Sequence, residues 1–119
     1  MEENLRVQAK VKDLIEEMKQ SEDYITYQRL QRELEEDEEL YKKITEFKRQ
    51  SFFLHQRYDV DNAIHEVRNL RRMYQKELLI PKVEEYLLVE QKVCKMIRDI
   101  SEMIADGIHL DYRFLEMND

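Results

Sequence analysis

The chain has 119 residues, of which 39% are charged, with a single glycine, a single proline and a formal net charge of −7. Glycine supplies positive φ and proline breaks helices, so this composition excludes a sheet protein of this size, which needs many turns, and leaves a nearly all-helical chain. The acidic balance opposes broad attraction to a phosphate backbone or an anionic membrane surface, while a hydrophobic fraction of 42% excludes wholesale disorder.

The first helical pattern is Val7, Val11, Leu14 and Met18, with Ile15 alongside, a narrow apolar stripe at alternating spacings of four and three. Ser21 then reads as an N-cap, with Glu22 and Asp23 in the first turn, where the helix dipole favours anions. Behind it runs a second stripe of Tyr24, Tyr27, Leu30 and Leu34. The acidic run from Glu35 to Glu39 closes that helix and opens a third, with Asp37 as its cap. The third helix carries Leu40, Ile44, Phe47, Ser51, Leu54 and Tyr58 in heptad spacing.

Tyr58 to Asn62 reads as a connection in which Asp59 or Asp61 caps a fourth helix, whose face is Ala63, Val67, Leu70, Tyr74 and Leu78. Pro81 suits a helix's first turn, so it begins a fifth helix through Val83, Leu87, Glu90, Cys94, Ile97, Ser101, Ile104 and Ile108, which Gly107 helps to end. The expected fold is an all-α, elongated, antiparallel bundle of about five helices forming one domain over 1–119. Its third and fifth helices are long and coiled-coil-like and lie side by side.

The fifth helix is apolar on a second flank as well, through Tyr86, Val93, Met96 and Ile100. Together with Ile97 and Ile104 that arc is wider than one neighbouring helix covers, so the expected assembly is a homodimer with these six residues at its interface. No apolar run approaches the ~18–20 residues needed to span a bilayer, and Met1-Glu2-Glu3 lacks the basic start of a secretion signal. Cys94, the lone cysteine, excludes an intrachain disulfide and is expected as a buried small hydrophobe in a reducing, cytoplasmic setting.

Catalytic patterns are missing. None of His55, His65 and His109 has a glutamate three residues before it, as a di-iron half-site requires, and the calcium-loop hint at Asp59-Val60-Asp61 has Ile64 where the loop needs glycine. No phosphate loop or nucleophile elbow is present, so no cofactor, metal or enzymatic activity is expected. Glu90 stands on an apolar stripe, where a carboxylate needs a partner, and Tyr24, Tyr27 and Arg29 are the candidates. Arg68, Arg71 and Arg72 share one face of the fourth helix; they read as a solvated, salt-bridged face, with a grip on a phosphate or an acidic partner as the alternative. An RNA-binding patch would recruit Lys42, Lys43, Lys48 and Arg49 to those arginines.

The blocks Ser21-Glu-Asp-Tyr24-x-x-Tyr27, Ile44-x-x-Phe47-Lys48 with Gln50, Ile80-Pro81-Lys82-Val83-Glu84-Glu85-Tyr86, Glu90-Gln91 and Ile97-x-x-Ile100-x-x-x-Ile104 resemble the YlbF/YmcA/YheA family of small helical bacterial regulators. That resemblance covers nearly the whole chain. It implies a non-enzymatic cytoplasmic protein, usually dimeric or part of a small complex, with members in the control of competence, sporulation and biofilm formation. One such complex influences messenger-RNA processing through a membrane-bound endoribonuclease. Members that help hold iron–sulfur clusters carry a cysteine-containing C-terminal tail, whereas Cys94 is the only cysteine here, so the resemblance implies no cluster. A chaperone-like or scaffold coiled coil and, further off, an RNA-binding accessory protein are the competing readings.

Overall fold

The computed structural model describes residues 2–57 and 59–117; Met1, Tyr58, Asn118 and Asp119, and with Tyr58 the end of the third-helix stripe, lie outside the described residues. Six α-helices follow one another: α1 (Glu2–Lys19), α2 (Glu22–Glu35), α3 (Glu38–Arg57), α4 (Val60–Met73), α5 (Gln75–Leu78) and α6 (Pro81–Gly107), with a 3₁₀ turn at Arg113–Glu116. The fold is all-α.

Local chemistry sets most of these boundaries. The Ser21 side chain accepts from the Tyr24 amide at 3.2 Å, Asp37 from the Leu40 amide at 3.2 Å and Asp59 from the Asn62 amide at 2.9 Å, so each satisfies an amide that the first helical turn leaves unpaired. Asp59, rather than Asp61, caps α4, which therefore starts inside the expected connection at Val60. Ile80 is extended (φ −68°, ψ 124°), as the residue before a proline prefers, and Pro81 opens α6.

The expected fourth helix does not run through to Leu78. Tyr74 leaves the helical region (φ −107°, ψ 17°), and the single turn α5 follows, giving six helices in place of about five. Tyr74 sits edge-on to Phe47 of α3, with ring centroids 5.6 Å apart, and the break keeps that contact while letting the chain turn towards Pro81.

The core gathers Leu30 and Leu34 of α2, Leu40 and Ile44 of α3, and Val83, Tyr86 and Val89 of α6. Tyr27 meets Glu90 while Arg29 faces Glu85, so α2 and α6 run in opposite directions. The expectation that the two long helices lie side by side is corrected here: α6 packs chiefly on α2, and α3 packs on α4 and α2. Three further buried residues, Phe47 on α3 and Ala63 and Leu70 on α4, lie outside the main cluster.

α1 buries no residue at all. The radius of gyration is 19.2 Å, against about 13.5 Å for a compact chain of this length. Phe47→Ala is expected to cost about 3–5 kcal/mol, because it empties a buried aromatic site and removes the edge contact with Tyr74. Denaturant unfolding of the variant measures this; an unchanged midpoint contradicts it.

Candidate functional site

Where α2, α3 and α6 meet, four polar side chains form a connected cluster. Tyr27 and Tyr86 stack at 5.3 Å between ring centroids, held at that distance by the antiparallel pairing of α2 and α6. The Tyr27 hydroxyl donates to Glu90 Oε2 at 3.4 Å. Lys48 of α3 donates to the Tyr86 hydroxyl at 3.0 Å and forms an ion pair with the same Glu90 oxygen, its ammonium lying 5.0 Å from the Tyr86 ring centroid. No buried side-chain polar atom among the described residues is left without a partner.

Glu90 is half-buried, with 25% of its side chain exposed. Of the three candidate partners only Tyr27 reaches it. Tyr24 receives the Gln28 amide, and Arg29 faces Glu33 and Glu85. Lys48, which supplies the charge, was not expected: it comes from 42 residues away, and no local pattern marks it. Burial is the first cause that pushes both tyrosine hydroxyls up from their ordinary value near 10. The cluster presents no nucleophile beside a base. Among the described residues there is also no group of three or more His, Cys, Asp or Glu that could hold a metal.

The six residues assigned to the interface separate. Tyr86, only 2% exposed, belongs to the intrachain core, because the α2-facing side of α6 includes it; this corrects its assignment to the interface. Val93, Met96 and Ile100 are half-buried, and Ile97 (49%) and Ile104 (54%) stand open. Cys94, expected as buried, is exposed, since the helix turns it away from α2. Leu5, Val7, Val11, Leu14 and Ile15 of α1 are exposed too, as are Met103, Ile108, Leu110, Phe114 and Leu115 towards the C-terminus.

Arg68, Arg71 and Arg72 line a shallow depression with Leu78, Leu79 and Glu84, and none of them forms an ion pair among the described residues. Three of the four basic residues that an RNA patch would add are engaged elsewhere: Lys43 with Glu77 at 3.4 Å, Lys48 with Glu90, and Arg49 beside Glu46 at 3.9 Å. Between α3 and α6 lies an open groove of about 840 Å³ whose rim includes Phe52, Phe53 and Leu88. Both phenylalanines fall off the heptad stripe of α3, so the periodic pattern does not mark them.

Residues 7–109 match the Com_YlbF family model, described as control of competence regulator ComK, YlbF/YmcA. A UPF0342 protein of Caldicellulosiruptor bescii is 34% identical over 98 residues, which cover 81% of this chain and 82% of the relative. A UPF0342 protein of Caldicellulosiruptor saccharolyticus is 29% identical over 100 residues, covering 82% and 83%. No solved structure matches. The chain belongs to the Com_YlbF family, whose description is that of a regulator.

Two outcomes follow from the cluster. Glu90→Leu leaves both Lys48 and the Tyr27 hydroxyl without their acceptor and is expected to cost about 1–2 kcal/mol, whereas Glu90→Gln keeps part of the hydrogen bonding and costs less than half of that. Equal stability of the two variants in denaturant unfolding contradicts the arrangement. Tyr27 ionises near 10 when unfolded and higher when folded, so the unfolded state sheds its proton first and stability falls as pH rises past about 10. Thermal unfolding of Tyr27→Phe should therefore lose stability less steeply with pH above that value than the parent chain; identical slopes contradict it.

Proposed function

We propose that this Com_YlbF family member is a non-enzymatic cytoplasmic adaptor that exerts its regulatory role by binding other proteins, and that it does so as a homodimer. One observation carries the reading. The chain exposes 10,420 Å², whereas a folded monomer of 14.7 kDa exposes about 6,900 Å². The excess, about 3,500 Å² per chain or about 7,000 Å² for a pair, is more than the roughly 2,000–5,000 Å² of total surface that permanent assemblies bury, so an interface of that size fits within it. Exposed apolar side chains gather on α1, on the second half of α6, where Ile97, Met103 and Ile104 are open, and on the segment from Ile108 to Met117 that follows it, with others such as Phe52, Phe53 and Leu88 elsewhere. An 18-residue helix that buries nothing is at the margin of stability in water, so α1 gains its stability from a partner.

The proposed interface residues on α6 are Val93, Met96, Ile97, Ile100 and Ile104. The partners proposed beyond the second copy are regulatory proteins, with an endoribonuclease complex as the kind the family resemblance implies. No helix among the described residues is long and apolar enough to cross a membrane, so a membrane-bound partner would be met through protein contact.

Light scattering over a concentration series should return twice the 14.7 kDa chain mass, and a mass of 14.7 kDa throughout contradicts the dimer. Affinity capture with the purified protein should retain one or two proteins in fixed proportion. A broad spectrum of unfolded clients would instead identify a chaperone.

A further inference from the structure

Two segments of the chain lack partners, and their surfaces match. α1 is 18 residues long and carries Val7, Val11, Leu14, Ile15 and Met18 on one face, of which Met18 is half-buried and the others are between 36% and 62% exposed. α2 has 14 residues against the 27 of α6, so at 1.5 Å per residue about 21 Å of α2 lies along a helix of about 40 Å. Beyond Val89 no residue of α6 is buried, and that end carries Ile97, Met103 and Ile104 exposed and Ile100 half-buried on one side. The two bare stretches have comparable length and the same four-three spacing.

Their charges decide what pairs with what. On α1, Lys12 and Lys19 flank the apolar stripe one heptad apart. On α6, Asp99 and Asp106 flank the exposed stripe one heptad apart, with Lys92 a heptad earlier, near the end of the covered region. Laid side by side in the same direction, the two stripes meet and the basic flank of α1 comes against the acidic flank of α6. Lys19 lies 3.9 Å from Glu16 and Asp99 lies 2.7 Å from Lys95, but both pairs are exposed neighbours on their own helices and are worth little. Within one chain, a straight continuation of α2 through α1 gives the opposite alignment. α2 runs opposite to α6, so α1 continuing from α2 would also run opposite to α6 and would set Glu17 near Asp99.

We infer that α1 of one copy lies along the second half of α6 of the other, so that a twofold dimer contains two identical α1–α6 contacts. The inference rests on the dimer reading above and says which surfaces meet. It uses the exposed apolar area on both segments, and closure of the pair leaves no open end for further growth.

The experiment is complementation between full-length variants, read by light scattering. Val11→Asp and Ile104→Asp each place a charge in an exposed stripe, at residues 47% and 54% exposed, so the core stays intact, and far-UV circular dichroism confirms that. Each variant alone should drop from twice the chain mass to 14.7 kDa. Their equimolar mixture should regain the double mass, because one of its two contacts then joins an unmodified α1 to an unmodified α6. A mixture that stays at 14.7 kDa, or either variant dimerising alone, overturns the inference while leaving the dimer in place. A parent chain that is itself 14.7 kDa removes the dimer reading, and this inference with it. As a second set that leaves the apolar stripes untouched, Lys12→Glu/Lys19→Glu should weaken the dimer several-fold and regain affinity when mixed with Asp99→Lys/Asp106→Lys. Unchanged affinity in both cases overturns the facing flanks.

Discussion

The antiparallel pairing of α2 with the first half of α6 is the constraint on which the rest depends. Leu30 and Leu34 of one helix and Val83, Tyr86 and Val89 of the other supply five of the seven side chains of the main buried cluster, and Leu40 and Ile44 of α3 close it from the side. A helix of 14 residues cannot cover one of 27. Because the chain turns at Gln20 and Ser21 and α1 leaves the core, the second half of α6 buries no residue within its own chain, although Met96 and Ile100 are half-covered. The elongated shape and the large exposed surface both follow from that mismatch in length.

The polar cluster stands at the end of the same pairing. Tyr27, Tyr86 and Glu90 sit on the two paired helices, and Lys48 brings the third helix to them. Tyrosine rings supply apolar area while their hydroxyls keep partners, so the junction is half-buried without stranding a polar group. The charge pair ties the position of α3 to that of α6 although few of their backbone atoms approach each other. Such a pair adds specificity of packing more than stability, since both partners keep some contact with water.

Features governed by a few neighbouring residues were readable from the sequence. Ser21, Asp37 and Asp59 cap helices because a short polar side chain ahead of an apolar periodic run has one favourable use, and Pro81 starts a helix because it suits few other helical positions. The break falls at Tyr74, whose ring meets Phe47, 27 residues earlier, a contact that no local pattern encodes. An apolar flank on α6 shows that something covers it, not what. An interface position for Tyr86 and a place for α3 beside α6 both fit that flank, whereas it is α2 that covers it. Glu90 drew attention because a carboxylate on an apolar stripe needs a partner, and Tyr27 was among those named, while Lys48 became visible only once three helices were assembled. Cys94 shows the same limit, since its stripe position says nothing of the neighbour that would bury it.

In the proposed dimer, α1 and the second half of α6 are two halves of one interface and are stable because they meet across it. Amide hydrogen exchange across a dilution series tests this directly. The pairing predicts that the amides of α1 and of residues 95–107 are protected when the protein is concentrated and lose that protection together on dilution, while those of α2 and of residues 83–90 stay protected. Fast exchange of α1 at every concentration, with the core protected throughout, would contradict it.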